Sequence, residues 1–169
     1  MPPQHPSLIV ASRQEADSWS QNPGLPIRGV IAIVDAEERP CLGFESIPDR
    51  LRLDFEDVAV EASALGVLQS RGPTRDHAER IVAFARRLAG GGGLLLCHCT
   101  AGRSRSPAAA LICLAVWLGP GAEADAAAGV FRIRPTAYPH RGLVGFADQV
   151  LGRSGRLLAA LEAAQPKWE

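Results

Sequence analysis

The sequence predicts an α/β fold with a central, mainly parallel sheet flanked by helices. Three observations carry this. Short apolar, β-branched runs alternate with loop or helical segments as far as Cys99. A strand that is apolar on both faces, "GGLLLCHC", leads directly into an apolar helix. Helical segments then fill the rest of the chain. Parallel strands need long crossovers, and a strand covered on both sides reads as a continuous apolar run. The 169 residues fit one domain, 1–169, with a sizeable core.

Each element follows from its local pattern. "SLIVAS" (Ser7 to Ser12) is a short apolar strand, and "RQEADSW" after it has room for a helical turn. "GVIAIVDA" (Gly29 to Ala36) is β-branched and reads as a second buried strand. "EERPCLGFESIPDR" carries proline and glycine breaks and reads as a loop. "LRLDF" (Leu51 to Phe55) alternates, as a third strand does. Glu56 to Pro73 reads as a loop with at most a turn of helix, ending at Arg-Gly-Pro. "TRDHAERIVAFARRLAG" is a helix with Thr74 as its cap. Asp76 sits in the first turn, Arg86 and Arg87 in the last, and Ile81, Phe84, Ala85 and Leu88 form one stripe. "SRSPAAALICLAVWLGPG" is a buried helix of about four turns, with Pro107 where a missing N–H costs nothing. "AEADAAAGVFRIRP", "RGLVGFADQVLG" and "SGRLLAALEAAQ" give three more helices.

Composition narrows the function classes. Apolar residues make up 47% and charged residues 21%, an ordinary globular mixture. Basic and acidic side chains balance at 18 each, so no net field draws the chain to nucleic acid or lipid. All basic residues except Lys167 are arginine. No apolar run is long enough to span a membrane. The start, "MPPQHPSLIVASRQ", lacks the features of a signal peptide, so a cytoplasmic location is expected. Cys41, Cys97, Cys99 and Cys113 do not form a disulfide framework. Nothing in the sequence sets an oligomeric state. Trp19, Trp117 and Trp168 read as packing residues.

The chemistry concentrates between Cys99 and Ser106. A buried strand ends at His98 and Cys99, the chain turns through Thr100, Ala101, Gly102, Arg103 and Ser104, and a helix starts near Arg105. Backbone N–H groups at a helix N-terminus, aided by the helix dipole, cradle an anion. Gly102 permits the tight bend. A thiol in such surroundings ionises more readily, which makes Cys99 a candidate nucleophile. The planar fork of Arg105 suits two oxygens of a phosphate. The Ser106 hydroxyl is placed to hydrogen-bond the sulfur. Cys97, His98 and Cys99 do not make a metal site, because neighbours on a strand face opposite ways and no second Cys/His pair completes a set. Cys97 shares a face with Cys99 and either packs in the core or pairs with Cys99 on oxidation. Cys113 reads as helix filler.

"HCTAGRSRS" resembles the signature of the cysteine-dependent protein tyrosine phosphatases: His-Cys, five residues, Arg, then Ser or Thr. The compact length resembles the dual-specificity branch, and "RPTAYPHRGLVGFADQVLG" is similar to a segment of a small bacterial phosphatase group. The likeness runs roughly from Val30 to Ala160 and is specific mainly in the loop. It implies a phosphomonoester hydrolase with a phosphocysteine intermediate on Cys99. Thr100 to Arg105 would bind the phosphate, His98 would support the thiolate, and no cofactor or metal would be needed. The implied substrate is a phosphorylated protein or a small-molecule phosphate. An aspartate from "LRLDFEDV" would act as general acid and base. Asp57, beyond the strand end, is favoured over Asp54, although it lies further from Cys99 than in small dual-specificity members. His140 stands where the related group often has Asn. It either holds the acid loop or a water, or lies at the surface. The competing readings are another thiol enzyme, such as a sulfur transferase or an arsenate reductase, and a non-catalytic phosphate-binding module.

Overall fold

The computed structural model describes residues 4–60 and 71–167. Four strands form one sheet: β1 (Ser7–Ser12), β2 (Ile27–Val34), β3 (Asp49–Asp54) and β4 (Leu94–Cys99). The spatial order is β1-β4-β2-β3, and every pairing is parallel. Six helices accompany them among the described residues: α1 (Arg13–Ser20), α2 (Arg75–Leu88), α3 (Arg105–Leu118), α4 (Glu123–Ile133), α5 (Arg141–Val150) and α6 (Arg156–Ala164). Because all strands run one way, their carboxyl ends share one edge. Ser12 pairs with Cys99 there, and Val34 with Asp54.

Layering explains the sequence pattern. The central strands β4 and β2 are covered on both faces, so both are almost continuously apolar. Ile31, Ile33, Leu95, Cys97 and Cys99 face a core shared with Ile81, Phe84, Leu111, Ile112 and Leu143 of the helices. Val30, Ala32 and Leu96 face the opposite side, against Ala16 of α1 and Cys41, Phe44 and Ile47. Burying each of these large side chains contributes roughly 1.5–3 kcal/mol. Trp19 packs on the smaller cluster and Trp117 on the larger. Trp168 lies outside the described residues.

Several boundaries differ from the sequence expectation. The stretch after β1 is a capped helix rather than one turn, because Ser12 and Glu15 form a reciprocal capping box. The stretch from Glu37 to Arg50 contains a 3-10 turn (Phe44–Ser46), and β3 starts earlier than predicted, at Asp49. β2 stops at Val34 rather than Ala36, because Glu38 N–H donates to the Asp35 carbonyl at 2.9 Å and turns the chain. Asp35 is thereby left just past the sheet edge. Glu56 N–H donates to the Arg71 carbonyl at 2.7 Å, so the two ends of the following segment meet. Most of the predicted loop between them, residues 61–70, lies outside the described residues.

Helix α3 is buried from Arg105 to Ala115 and anchored at its far end. Arg153 donates to the carbonyls of Ala115 and Gly119, both at 2.9 Å, and to Glu123 Oε1 at 2.7 Å. A cation belongs at a helix carboxyl end, where carbonyls lack partners. Arg153 holds the Glu123 carboxyl down to about 2. Asp148 of α5 caps α6 from outside, accepting from Gly155 N–H at 2.6 Å and Leu157 N–H at 2.7 Å, because Gly155 has no side chain to cap with.

Glu123 should stabilise the fold fully above the ordinary carboxylate value of 4.5 and lose that share as pH falls towards about 2. Glu123→Gln is therefore expected to be less stable than the parent at pH 7, with the gap closing on acidification. Denaturant melts of both chains from pH 7 to pH 2 would measure it.

Candidate active site

The site grows from the end of β4. Cys99, at 2% exposure, lies at the bottom of the turn that enters α3. Its Sγ accepts from Gly102 N–H at 3.2 Å, and Ser106 Oγ lies 3.2 Å away. Ser106 also sits 3.5 Å from the Ala11 carbonyl, which ties the first turn of α3 to β1. Gly102 has φ +67°, and an added Cβ would come within 2.5 Å of the Ala11 and Ser12 backbone. Glycine is required there on both counts. No side chain caps the N-terminus of α3, so its amides remain turned to the loop.

Arg105 is 5% exposed, and three segments meet its guanidinium. Nη1 donates to Asp35 Oδ1 at 2.6 Å and to the Phe55 carbonyl at 2.7 Å. Nη2 donates to Thr100 Oγ1 at 3.1 Å, and that hydroxyl donates to Glu38 Oε2 at 3.0 Å. Nε is buried and has no hydrogen-bond partner among the described residues.

The two candidate acids separate clearly. Asp54 ends β3 and pairs with Arg52 at 2.9 Å, on the exposed edge of the sheet. Asp57 instead reaches the turn before α3: its Oδ1 accepts from Ser104 Oγ at 2.7 Å. Its side chain keeps 44% of its exposure. Asp57 lines a cleft of about 550 Å³ together with Val58, Val60, Arg103, Tyr138 and His140. His140 is buried rather than at the surface, and it caps α5 by accepting from Leu143 N–H on Nδ1 at 3.2 Å. That leaves the proton on Nε2, which donates to the Val58 carbonyl at 2.7 Å, beside Asp57 at 3.9 Å. Tyr138 and His140 N–H donate to the Arg103 and Ser104 carbonyls at 2.7 and 3.1 Å. One short segment thus braces both the turn before α3 and the segment that carries Asp57.

No family model and no curated protein matches the sequence. Solved structures do match. Human DUSP28, in a single-substitution form, is 24% identical over 98% of both chains, with a TM-score of 0.59. DUSP15 is 23% identical over 94% of this chain and 92% of its own, with a TM-score of 0.61. Tk-PTP in its active form is 18% identical over 88% and 92%, with a TM-score of 0.58. The chain has the dual-specificity and tyrosine phosphatase fold. In this chain β4, which leads into the turn from Cys99 to Ser106, lies inside the sheet between β1 and β2.

The remaining residues read from the sequence fall around this unit. His98 points away from Cys99, into the smaller cluster, and accepts from Cys41 N–H on Nε2 at 3.1 Å. Burial drives its ring down to about 4, so it is neutral at pH 7. Thr100, Ala101 and Arg103 are exposed and Ser104 is half-buried. Cys97 does share the inner face with Cys99, and its thiol is pushed well up, chiefly by a hydrogen bond with Cys113 and then by burial. All four cysteines are free. No group of metal-binding side chains occurs among the described residues. Sequence reasoning did not single out Asp35 or Glu38, although "VDAEE" at a strand end carried the signal: acids following a buried parallel strand lie on the ligand edge.

The His98 ring should stay uncharged from pH 5 to pH 8, with its titration near 4. Imidazole carbon shifts followed by NMR against pH check this. Gly102→Ala should abolish binding of tungstate measured by calorimetry, since the turn cannot keep its place against Ala11.

Proposed function

We propose that the chain, as a single phosphatase-like domain over 1–169, is a phosphomonoester hydrolase that works through a phosphocysteine on Cys99. The observation that carries this is the sulfur seated between Gly102 N–H and Ser106 Oγ, with the buried, unpartnered Nε of Arg105 in the same loop-helix unit. Arg134 and Arg153 also bury an Nε without a partner, but that of Arg105 belongs to the turn and helix that seat the Cys99 sulfur, where an oxyanion suits a guanidinium edge.

The steps follow from these positions. The Cys99 thiolate attacks phosphorus and forms an S–P bond as the ester P–O bond breaks. Asp57 gives its proton to the departing oxygen. Asp57, now a carboxylate, takes a proton from water, whose oxygen attacks phosphorus. The S–P bond breaks, inorganic phosphate leaves, and the Ser106 hydroxyl and Gly102 N–H receive the returning thiolate. Arg105 binds two phosphate oxygens throughout. His98, held neutral with its Nε2 on Cys41 N–H, carries no proton in the reaction.

The substrate is a phosphorylated protein side chain or a small phosphate ester of matching shape. The cleft beside Asp57 has apolar walls from Val58, Val60 and Pro139, which suits an aryl leaving group. A disulfide relay of the arsenate reductase kind finds less support, because the Cys97 thiol is engaged by Cys113 and no cysteine besides Cys99 is held at the turn before α3. The unpaired cysteines suit a reducing, cytoplasmic setting. No described helix is long and apolar enough to cross a membrane.

Purified protein should hydrolyse para-nitrophenyl phosphate without added metal and be inhibited by vanadate. Cys99→Ser should remove this turnover, and retained activity in that variant would sink the mechanism. Asp57→Ala should lower kcat about 100-fold or more on an alkyl phosphate, and far less on an ester with a good leaving group, as general acid catalysis requires. If Asp54→Ala shows that pattern instead, the acid is misassigned.

A further inference from the structure

The guanidinium of an arginine has two edges that can grip an oxyanion: Nη1 with Nη2, and Nε with Nη2. In this chain one edge is already engaged. Asp35 Oδ1 and the Phe55 carbonyl both hold Nη1, at 2.6 and 2.7 Å. They come from the ends of β2 and β3, adjacent strands whose carboxyl ends meet here. Thr100 is the only side chain on Nη2, and Nε is left buried without a partner among the described residues. The free edge is therefore Nε with Nη2.

We propose that Asp35 is the positioning residue for Arg105: it fixes which edge of the guanidinium faces the phosphate. This rests on Arg105 being the phosphate-binding arginine. Phe55 supplies only a carbonyl, so among the described residues Asp35 is the one side chain on Nη1. A carboxylate beside a phosphate site repels the dianion unless the arginine lies between them. Its place on Nη1, away from the free edge, resolves that conflict. The functional atom is the Oδ1 acceptor rather than the negative charge. An asparagine keeps that oxygen, whereas an alanine releases Nη1 to swing towards the loop.

Tungstate binding by calorimetry, in a Cys99→Ser background, reads the site without turnover. Asp35→Ala should weaken binding about tenfold or more, as misplacing a gripping group does. Asp35→Asn should bind within about threefold of the parent, or tighter, since it keeps the acceptor and removes a like charge. Equal binding by Asp35→Ala and the parent would overturn the proposal. So would equal loss in Asp35→Asn and Asp35→Ala, which would assign the effect to charge. Melting curves accompany each variant. Should Asp35→Ala not fold, Asp35→Glu moves the oxygens by one methylene and should weaken tungstate measurably; an unchanged affinity would overturn the proposal equally. Failure of the hydrolase reading shows up elsewhere, as absent turnover in the parent with tungstate binding intact.

Discussion

The contact of Gly102 with the Ala11–Ser12 backbone is the constraint on which the site depends. The turn leaves β4, folds over the end of β1 and enters α3 with no space for a side chain between. This closeness puts Gly102 N–H on the Cys99 sulfur and sets Ser106 between that sulfur and the Ala11 carbonyl. Only parallel pairing of β1 with β4 brings Ser12 and Cys99 side by side at the same edge. A sheet rule, a glycine and a sulfur position are thus one arrangement seen at three scales.

Arg105 is the second node. Burying a guanidinium is costly unless most of its donors find partners. Its partners come from β2's end, β3's end and the loop itself, so the arginine reports on the assembly of half the sheet edge. Precision at the other end of α3 comes from Arg153, which holds two late carbonyls and Glu123. A helix fixed at both ends and buried from Arg105 to Ala115 cannot tilt to relax the loop, which is what preorganised anion binding requires.

The candidate acid arrives by a different route. Asp57 sits on a segment fastened by His140 through the Val58 carbonyl, and by Ser104 through Asp57 itself. His140 in turn caps α5. Helix α5, the turn before α3 and the segment that carries Asp57 therefore share one hydrogen-bonded seam. Asp54, three residues earlier, misses it because the strand pleat turns it outward to Arg52.

What the sequence by itself determined is local. The period of two put Cys97 and Cys99 on one inner face, the apolar runs marked the covered central strands, and Thr74 marked a helix start. The contacts of Cys99 with Gly102 and Ser106 were legible because these residues lie close together along the chain. What only the tertiary structure decided is long-range. Asp35 meets Arg105 seventy residues on, His140 meets Val58 eighty-two residues back, and Arg153 meets Ala115 thirty-eight back. No spacing pattern encodes those contacts. They follow from strand order and helix packing, which bring together side chains whose sequence neighbours give no sign of the meeting.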